Sequence, residues 1–147
     1  MEIAILAGGC FWGMEDLMRK IPGVEKTRVG YTGGHLKNPT YKDVCTETTG
    51  HAEAIEIFFD PSRVSYRELL EYFFQIHDPT TLNSQGPDFG TQYRSEIFYL
   101  NDQQKNIAEK MIEQENVRLS GKVVTKTSLV KNYCPAEEYH QRYLEKR

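Results

Sequence analysis

Cys10 stands in Gly8-Gly9-Cys10-Phe11-Trp12-Gly13, directly after the apolar run Ile3-Ala4-Ile5-Leu6-Ala7. A short strand that breaks at two glycines and delivers a cysteine reads as a thiol presented at a strand-to-helix turn. Free N–H groups and the positive dipole end of such a helix favour the thiolate, the nucleophilic form. Phe11 and Trp12 place two large rings beside the sulfur. The plainer reading of a free cysteine is a small buried hydrophobe, but paired glycines are costly unless the backbone needs them. A second candidate is Glu53, in Thr49-Gly50-His51-Ala52-Glu53-Ala54. It begins an apolar strand, so partial burial would raise its pKa toward the working pH and suit it to general acid work.

The elements that must position these groups are legible in the periodicity. Met14 to Lys20 reads as a helix that ends before Pro22-Gly23. Val24 to Tyr31 and the alternating Ala52 to Phe59 read as strands. Ser65-Tyr66-Arg67-Glu68 is a capping box, followed by an apolar helical face of Leu69, Leu70, Phe73, Phe74 and Ile76. His77 to Tyr93 reads as a long loop, of a length that is commonly functional or disordered. Glu96 to Leu100 is a short strand, Asp102 to Leu119 a helix, and Lys122 to Leu129 a strand. Pro135 is expected to open a final short helix. The fold class is therefore α+β: a two-layer sandwich of a mixed sheet and helices, in an elaborated ferredoxin-like pattern.

The chain has 147 residues, enough for one domain with a real core, so residues 1–147 are expected to form a single domain. Net charge is −3 and the Lys and Arg residues are scattered, which argues against nucleic acid and anionic membrane as partners. No stretch approaches the ~20 apolar residues of a membrane span. Met1-Glu2-Ile3 does not open a signal peptide, so a cytoplasmic, reducing location is expected. Three widely spaced cysteines, Cys10, Cys45 and Cys134, resemble neither a disulfide frame nor a zinc site. No metal and no cofactor is called for.

Several loops are over-specified for connectors. They include Asn38 to Cys45 (NPTYKDVC), Gly30 to Gly34 (GYTGG), His77 to Thr80 (HDPT), Gln85 to Ser95 (QGPDFGTQYRS) and Pro135 to Leu144 (PAEEYHQRYL). Together with GCFWG and GHAEA, in this order, they resemble the A-type peptide methionine sulfoxide reductases over residues 8 to about 144. The resemblance implies reduction of methionine S-sulfoxide, free or in proteins, through a cysteine sulfenic acid, as in repair of oxidised proteins. Such a site needs a nucleophile, an acid at the oxygen, further donors to it, and an apolar seat for the S-methyl group. Cys10 matches the nucleophile, Glu53 the acid, Phe11 and Trp12 the methyl seat. Tyr41 and Tyr93 match neutral donors to the oxygen, and Asp88 matches an aspartate that helps order the site. None of the four histidines is assigned to chemistry: His51 is read as packing or hydrogen-bonding locally, and His77 and His140 as capping or buried structural residues.

The chain departs from the family pattern at Glu47, where glycine is usual, and at Pro87 and Phe89 around Asp88. It also stops at Arg147 without the glycine-rich tail that carries a recycling cysteine in many members. Cys45 reads as structural. Cys134, before Pro135 at an expected helix N-cap, is the candidate resolving thiol. The alternative is direct attack on the sulfenic acid by thioredoxin, glutaredoxin or a small thiol. The resemblance is read as a monomer. Three rivals are weaker. A thiol peroxidase wants an arginine beside the sulfur, a cysteine hydrolase wants a histidine base and an oxyanion hole, and an aromatic methyl cage needs no cysteine.

Overall fold

The computed structural model describes residues 1–34, 50–86, 88–130 and 133–146. Tyr41, Cys45, Glu47 and Pro87 lie outside them. The chain begins β1 (Glu2–Gly8), α1 (Phe11–Met18), β2 (Val24–Thr32), β3 (Ala52–Phe59) and α2 (Tyr66–Ile76). A small hairpin of β4 (Ser84–Gln85) and β5 (Asp88–Phe89) follows, then a 3-10 turn at Thr91–Tyr93 and β6 (Ser95–Tyr99). After α3 (Asp102–Arg118) come β7 (Lys126–Leu129), β8 (Cys134–Pro135), a 3-10 turn at Glu138–His140 and α4 (Tyr143–Lys146).

The main sheet runs β7-β6-β1-β3-β2-β8. Its four central strands pair antiparallel throughout, and β1-α1-β2-β3-α2-β6 is the βαββαβ order of a ferredoxin-like unit. β7 joins β6 in parallel through the α3 crossover, and β8 joins β2 antiparallel, so the sheet is mixed as its alternating elements predict.

Strand alternation divides the apolar residues between two faces. Ala4, Leu6, Ile55, Ile57, Phe59 and Ile97 meet Met14 and Met18 of α1, Leu69, Leu70 and Phe73 of α2, and Ala108 and Met111 of α3. Each fully buried Leu, Ile or Phe contributes about 1.5–3 kcal/mol to this core. Ile5, Ala7, Ala52, Ala54 and Phe98 form a second cluster on the opposite face, closed by Leu100, Val130 and Tyr133. Glu53 shares the helix-side parity of Ile55 and Ile57, which turns its carboxyl toward α1.

The capping box at Ser65 forms with both bonds in place. Three expectations are corrected. α1 begins at Phe11 rather than Met14, because extended Cys10 (φ −64°, ψ 125°) caps it and the Cys10 carbonyl accepts from Met14 N–H at 3.3 Å. The 77–93 segment is no bare loop: it carries the β4–β5 hairpin and a 3-10 turn. Pro135 opens no helix. It lies in β8, with Tyr31 opposite Cys134 and Gly30 opposite Pro135, because the strand edge of β2 offers ladder partners before the chain turns at Glu138.

Candidate active site

β1 delivers Gly8 into a turn whose next residue, Gly9, has φ +104°. A side chain there would be strained, and its Cβ would also lie 3.1 Å from the Gln85 stem. Where it passes the turn, Gln85 closes its own segment: its amide bonds both the N–H (2.8 Å) and the carbonyl of Asp78. Cys10 is the N-cap of α1, and its thiol is free.

The buried carboxyl of Glu53 is the next wall. It is 1% exposed, and Oε1 accepts from Phe11 N–H at 3.2 Å. Burial raises its pKa most, the Phe11 N–H opposes, and Asp88 adds to the rise, leaving it at about 8. Oε2 is buried and has no hydrogen-bond partner among the described residues.

The electrostatics at Cys10 correct the expectation of an acidified thiol. The N–H groups of Trp12 and Gly13 do favour the thiolate, but burial first, and then Glu53, outweigh them and push the thiol up to about 11. Asp88 acts in the same direction. α1 has only eight residues, and its terminus, worth about 1 kcal/mol, is outweighed by burial, to which Glu53 adds once it ionises. Near neutrality, both the thiol and the Glu53 carboxyl rest protonated.

Phe11 is 1% exposed and packs with Val29, Tyr31 and Ala136. Trp12 is half-buried. One indole face stacks on Tyr143, with centroids 3.9 Å apart and planes 11° apart. Its Nε1–H donates to His140 Nδ1 at 2.9 Å, which requires a neutral imidazole, and burial of His140 lowers its pKa accordingly. Asp88 pairs with Gln85 across the hairpin, and its influence on both Cys10 and Glu53 brings it to the site. Tyr93 ends the 3-10 turn, half-buried. Tyr41, the other expected donor, belongs to the segment outside the described residues.

Cys134 is corrected in its surroundings. It caps no helix. Its Sγ donates to the Pro135 carbonyl at 3.6 Å, and burial and Glu137 raise its pKa rather than lowering it.

His140, Tyr143 and Glu137 were not legible as site residues. Glu137 accepts from the buried Tyr31 hydroxyl at 3.0 Å, and Tyr31 lies directly across from Glu53 in the β2–β3 ladder. Gln141 bonds the N–H and the carbonyl of Val29, each at 2.9 Å, holding the C-terminal segment to β2. The PAEEYHQRYL motif flagged this segment, but its partners stand more than 100 residues away. The described residues contain no group of three His, Cys, Asp or Glu able to hold a metal, and no helix long and apolar enough to cross a membrane.

A family model described as peptide methionine sulfoxide reductase matches residues 2–147. Peptide methionine sulfoxide reductase MsrA of Pelagibacter ubique is 67% identical over 147 residues, covering 100% of each chain. The crystal structure of Mxr1 from Saccharomyces cerevisiae in reduced form superposes with a TM-score of 0.93 at 42% identity, over 99% of this chain and 85% of that one. Mxr1 in complex with Trx2 gives 0.68 at 28% identity, over 97% and 84%. With its thiol at a strand-to-helix turn, its protonated buried carboxyl and its indole wall, this chain belongs to the peptide methionine sulfoxide reductase family.

Proposed function

We propose that Cys10 carries out this enzyme's reduction of methionine S-sulfoxide, with Glu53 as the acid at the sulfoxide oxygen. The observation that carries the proposal is the Glu53 carboxyl: buried, protonated up to about pH 8, held by Phe11 N–H beside Cys10, and with Oε2 unpartnered among the described residues. A neutral carboxyl with a free oxygen is a donor waiting for an acceptor.

A sulfoxide carries negative charge on oxygen and positive charge on sulfur. Donation from Glu53 to the oxygen makes the substrate sulfur more electrophilic. That positive sulfur, set against Sγ, favours the thiolate that the empty site disfavours. Sγ attacks and bonds the substrate sulfur as the Glu53 proton moves to the oxygen and the thiol proton passes to Glu53; the hydroxyl then moves to Sγ, the S–O and Sγ–S bonds break, and an electron pair stays on the methionine sulfur. Cys10–SH and sulfoxide become Cys10–SOH and the methionine thioether. Sγ is oxidised by two electrons, the methionine sulfur is reduced by two, the sulfenic acid carries the proton given by Glu53, and the thiol proton restores Glu53. Trp12, backed by Tyr143 and His140, is the seat for the S-methyl group, and Phe11 packs beneath it. Tyr93, with Tyr41, supplies neutral donors to the oxygen, and Asp88 orders the rim.

The sulfenic acid condenses with a second thiol, releasing water and leaving a disulfide. A dithiol of the thioredoxin type then reduces it, a role that the yeast relative solved with Trx2 supports. Glutaredoxin and small thiols do the same chemistry. Cys134 is the internal candidate. We further take the enzyme as a cytosolic, single-domain monomer that repairs oxidised proteins.

The test is one equivalent of substrate with no reductant. One methionine per enzyme and a trappable sulfenic acid, or its disulfide, on Cys10 are expected. Turnover by Cys10→Ser at the parent rate would remove the assignment.

A further inference from the structure

Arg94 stands between the Thr91–Tyr93 turn and β6. Its guanidinium gives each nitrogen to a different acceptor. Nε donates to Glu96 Oε1 at 2.7 Å, Nη1 to the Thr91 carbonyl at 2.9 Å, and Nη2 to the Gly50 carbonyl at 3.0 Å. Nη2 also presses on the end of β2, since a Cβ on Gly33 would come within 2.8 Å of it. Glu96, 6% exposed, is anchored in turn by the Ser128 hydroxyl of β7.

The two carbonyls are not arbitrary. Gly50 lies three residues before Glu53 and ahead of the first ladder pair of β3, Ala52 with Thr32. Thr91 opens the turn that ends at Tyr93. We infer that Arg94 is a positioning residue for the reduction, holding the entry to the Glu53 strand and the Tyr93 turn at the spacing that brings both side chains to one sulfoxide oxygen.

This rests on the acid and donor roles given above to Glu53 and Tyr93. Proton transfer works only within hydrogen-bond reach, and misplacement of a reacting group by about 1 Å costs on the order of 100-fold. A planar, rigid fork fixes the directions of two carbonyls at once. Glu96 keeps the fork from rotating and balances its charge in a partly buried place. A lysine carries one nitrogen on a flexible stem and cannot reach three acceptors that diverge.

The experiment compares Arg94→Lys, Glu53→Gln and the double variant in single-turnover methionine formation across pH, with substrate Kd and thermal unfolding measured alongside. Arg94→Lys is expected to slow the reductive step by about tenfold or more, while Kd changes by less than about threefold. The alkaline limb set by Glu53 should move to lower pH, because a loosened strand entry admits water to the carboxyl. In the Glu53→Gln background the same change should cost far less, since the acid it positions is already gone. Glu96→Gln keeps its shape and loosens only the anchor. It should slow the step in the same direction by a smaller factor, and it decides the matter if the lysine variant does not fold. A lower unfolding temperature with the parent rate and the parent pH limb would overturn the inference, as would equal slowing in both backgrounds. Parent rates in Glu53→Gln with Arg94 intact would instead remove the acid role itself, and with it the group that Arg94 positions.

Discussion

Glu53 Oε1 accepts the backbone N–H of Phe11 at 3.2 Å, so the candidate acid is tied to the residue directly after the candidate nucleophile. The bond spans 42 residues and joins β3 to the first turn of α1. It leaves the other carboxyl oxygen buried and without a hydrogen-bond partner among the described residues. Activity and stability are opposed at this one group.

Glu53→Gln tests that opposition. Burial lifts the folded pKa from 4.5 to about 8, so the unfolded chain releases its proton first as pH rises. The native state therefore loses stability between pH 4.5 and about 8. Glutamine never ionises, so the variant should be more stable than the parent by on the order of 3 kcal/mol at pH 7, with no gain near pH 4. Its reductive step should slow by roughly 10²–10⁴-fold, and the alkaline limb near pH 8 should vanish. Urea unfolding at the two pH values and single-turnover rates measure both halves.

Trp12→Ala removes the indole that Tyr143 stacks and His140 holds. Affinity for the sulfoxide side chain should fall by about 2–4 kcal/mol, as for loss of a large apolar anchor. His140→Phe keeps the ring and deletes the acceptor of the indole N–H, and should raise KM less than Trp12→Ala does. Steady-state kinetics on a methionine sulfoxide peptide separates the two.

His77 sets an acid limit on the fold. Its Nδ1–H donates to the Phe73 carbonyl and its Nε2 accepts from the Ser95 hydroxyl, which also pairs with Thr125. Burial lowers its pKa from 6.5 to about 4. The unfolded chain therefore takes up a proton first as pH falls, and stability is lost from about pH 6.5 down through 4, by roughly 3 kcal/mol in all. His77→Gln should flatten that limb of unfolding free energy against pH.

Cys134 lies opposite Tyr31, which lies opposite Glu53, so two strand spacings of about 4.8 Å separate it from the acid. A disulfide needs Cα atoms within about 7 Å, and release of β8 from the edge of β2 would free Cys134 to make that approach to Cys10. β8 is only two residues long, and releasing it costs few ladder bonds. Stoichiometric oxidation should give a Cys10–Cys134 bond in the parent, whereas Cys134→Ser should stop at the sulfenic acid after the same single methionine. Mass spectrometry that finds no such bond in the parent would assign recycling to an external thiol.

From the sequence alone came everything that depends on neighbours along the chain. The GCFWG turn, the alternation of AEAIEIFF, the Ser65 capping box and the ordered set of motifs locate Cys10, Glu53, Trp12 and Asp88 and name the family, because backbone preference and side-chain parity are local properties. Tertiary structure decided the rest. The resting Cys10 thiol is neutral because burial outweighs the helix N–H groups that the local motif supplies, and Glu53, 43 positions away, adds to this once it ionises. Trp12 is held by His140 across 128 residues, and Arg94 reaches Gly50 across 44. Cys134 lost its expected helix to a strand because β2 had an open edge to fill. Desolvation, charge coupling and strand completion depend on which distant groups share a volume, and only the packed chain determines that.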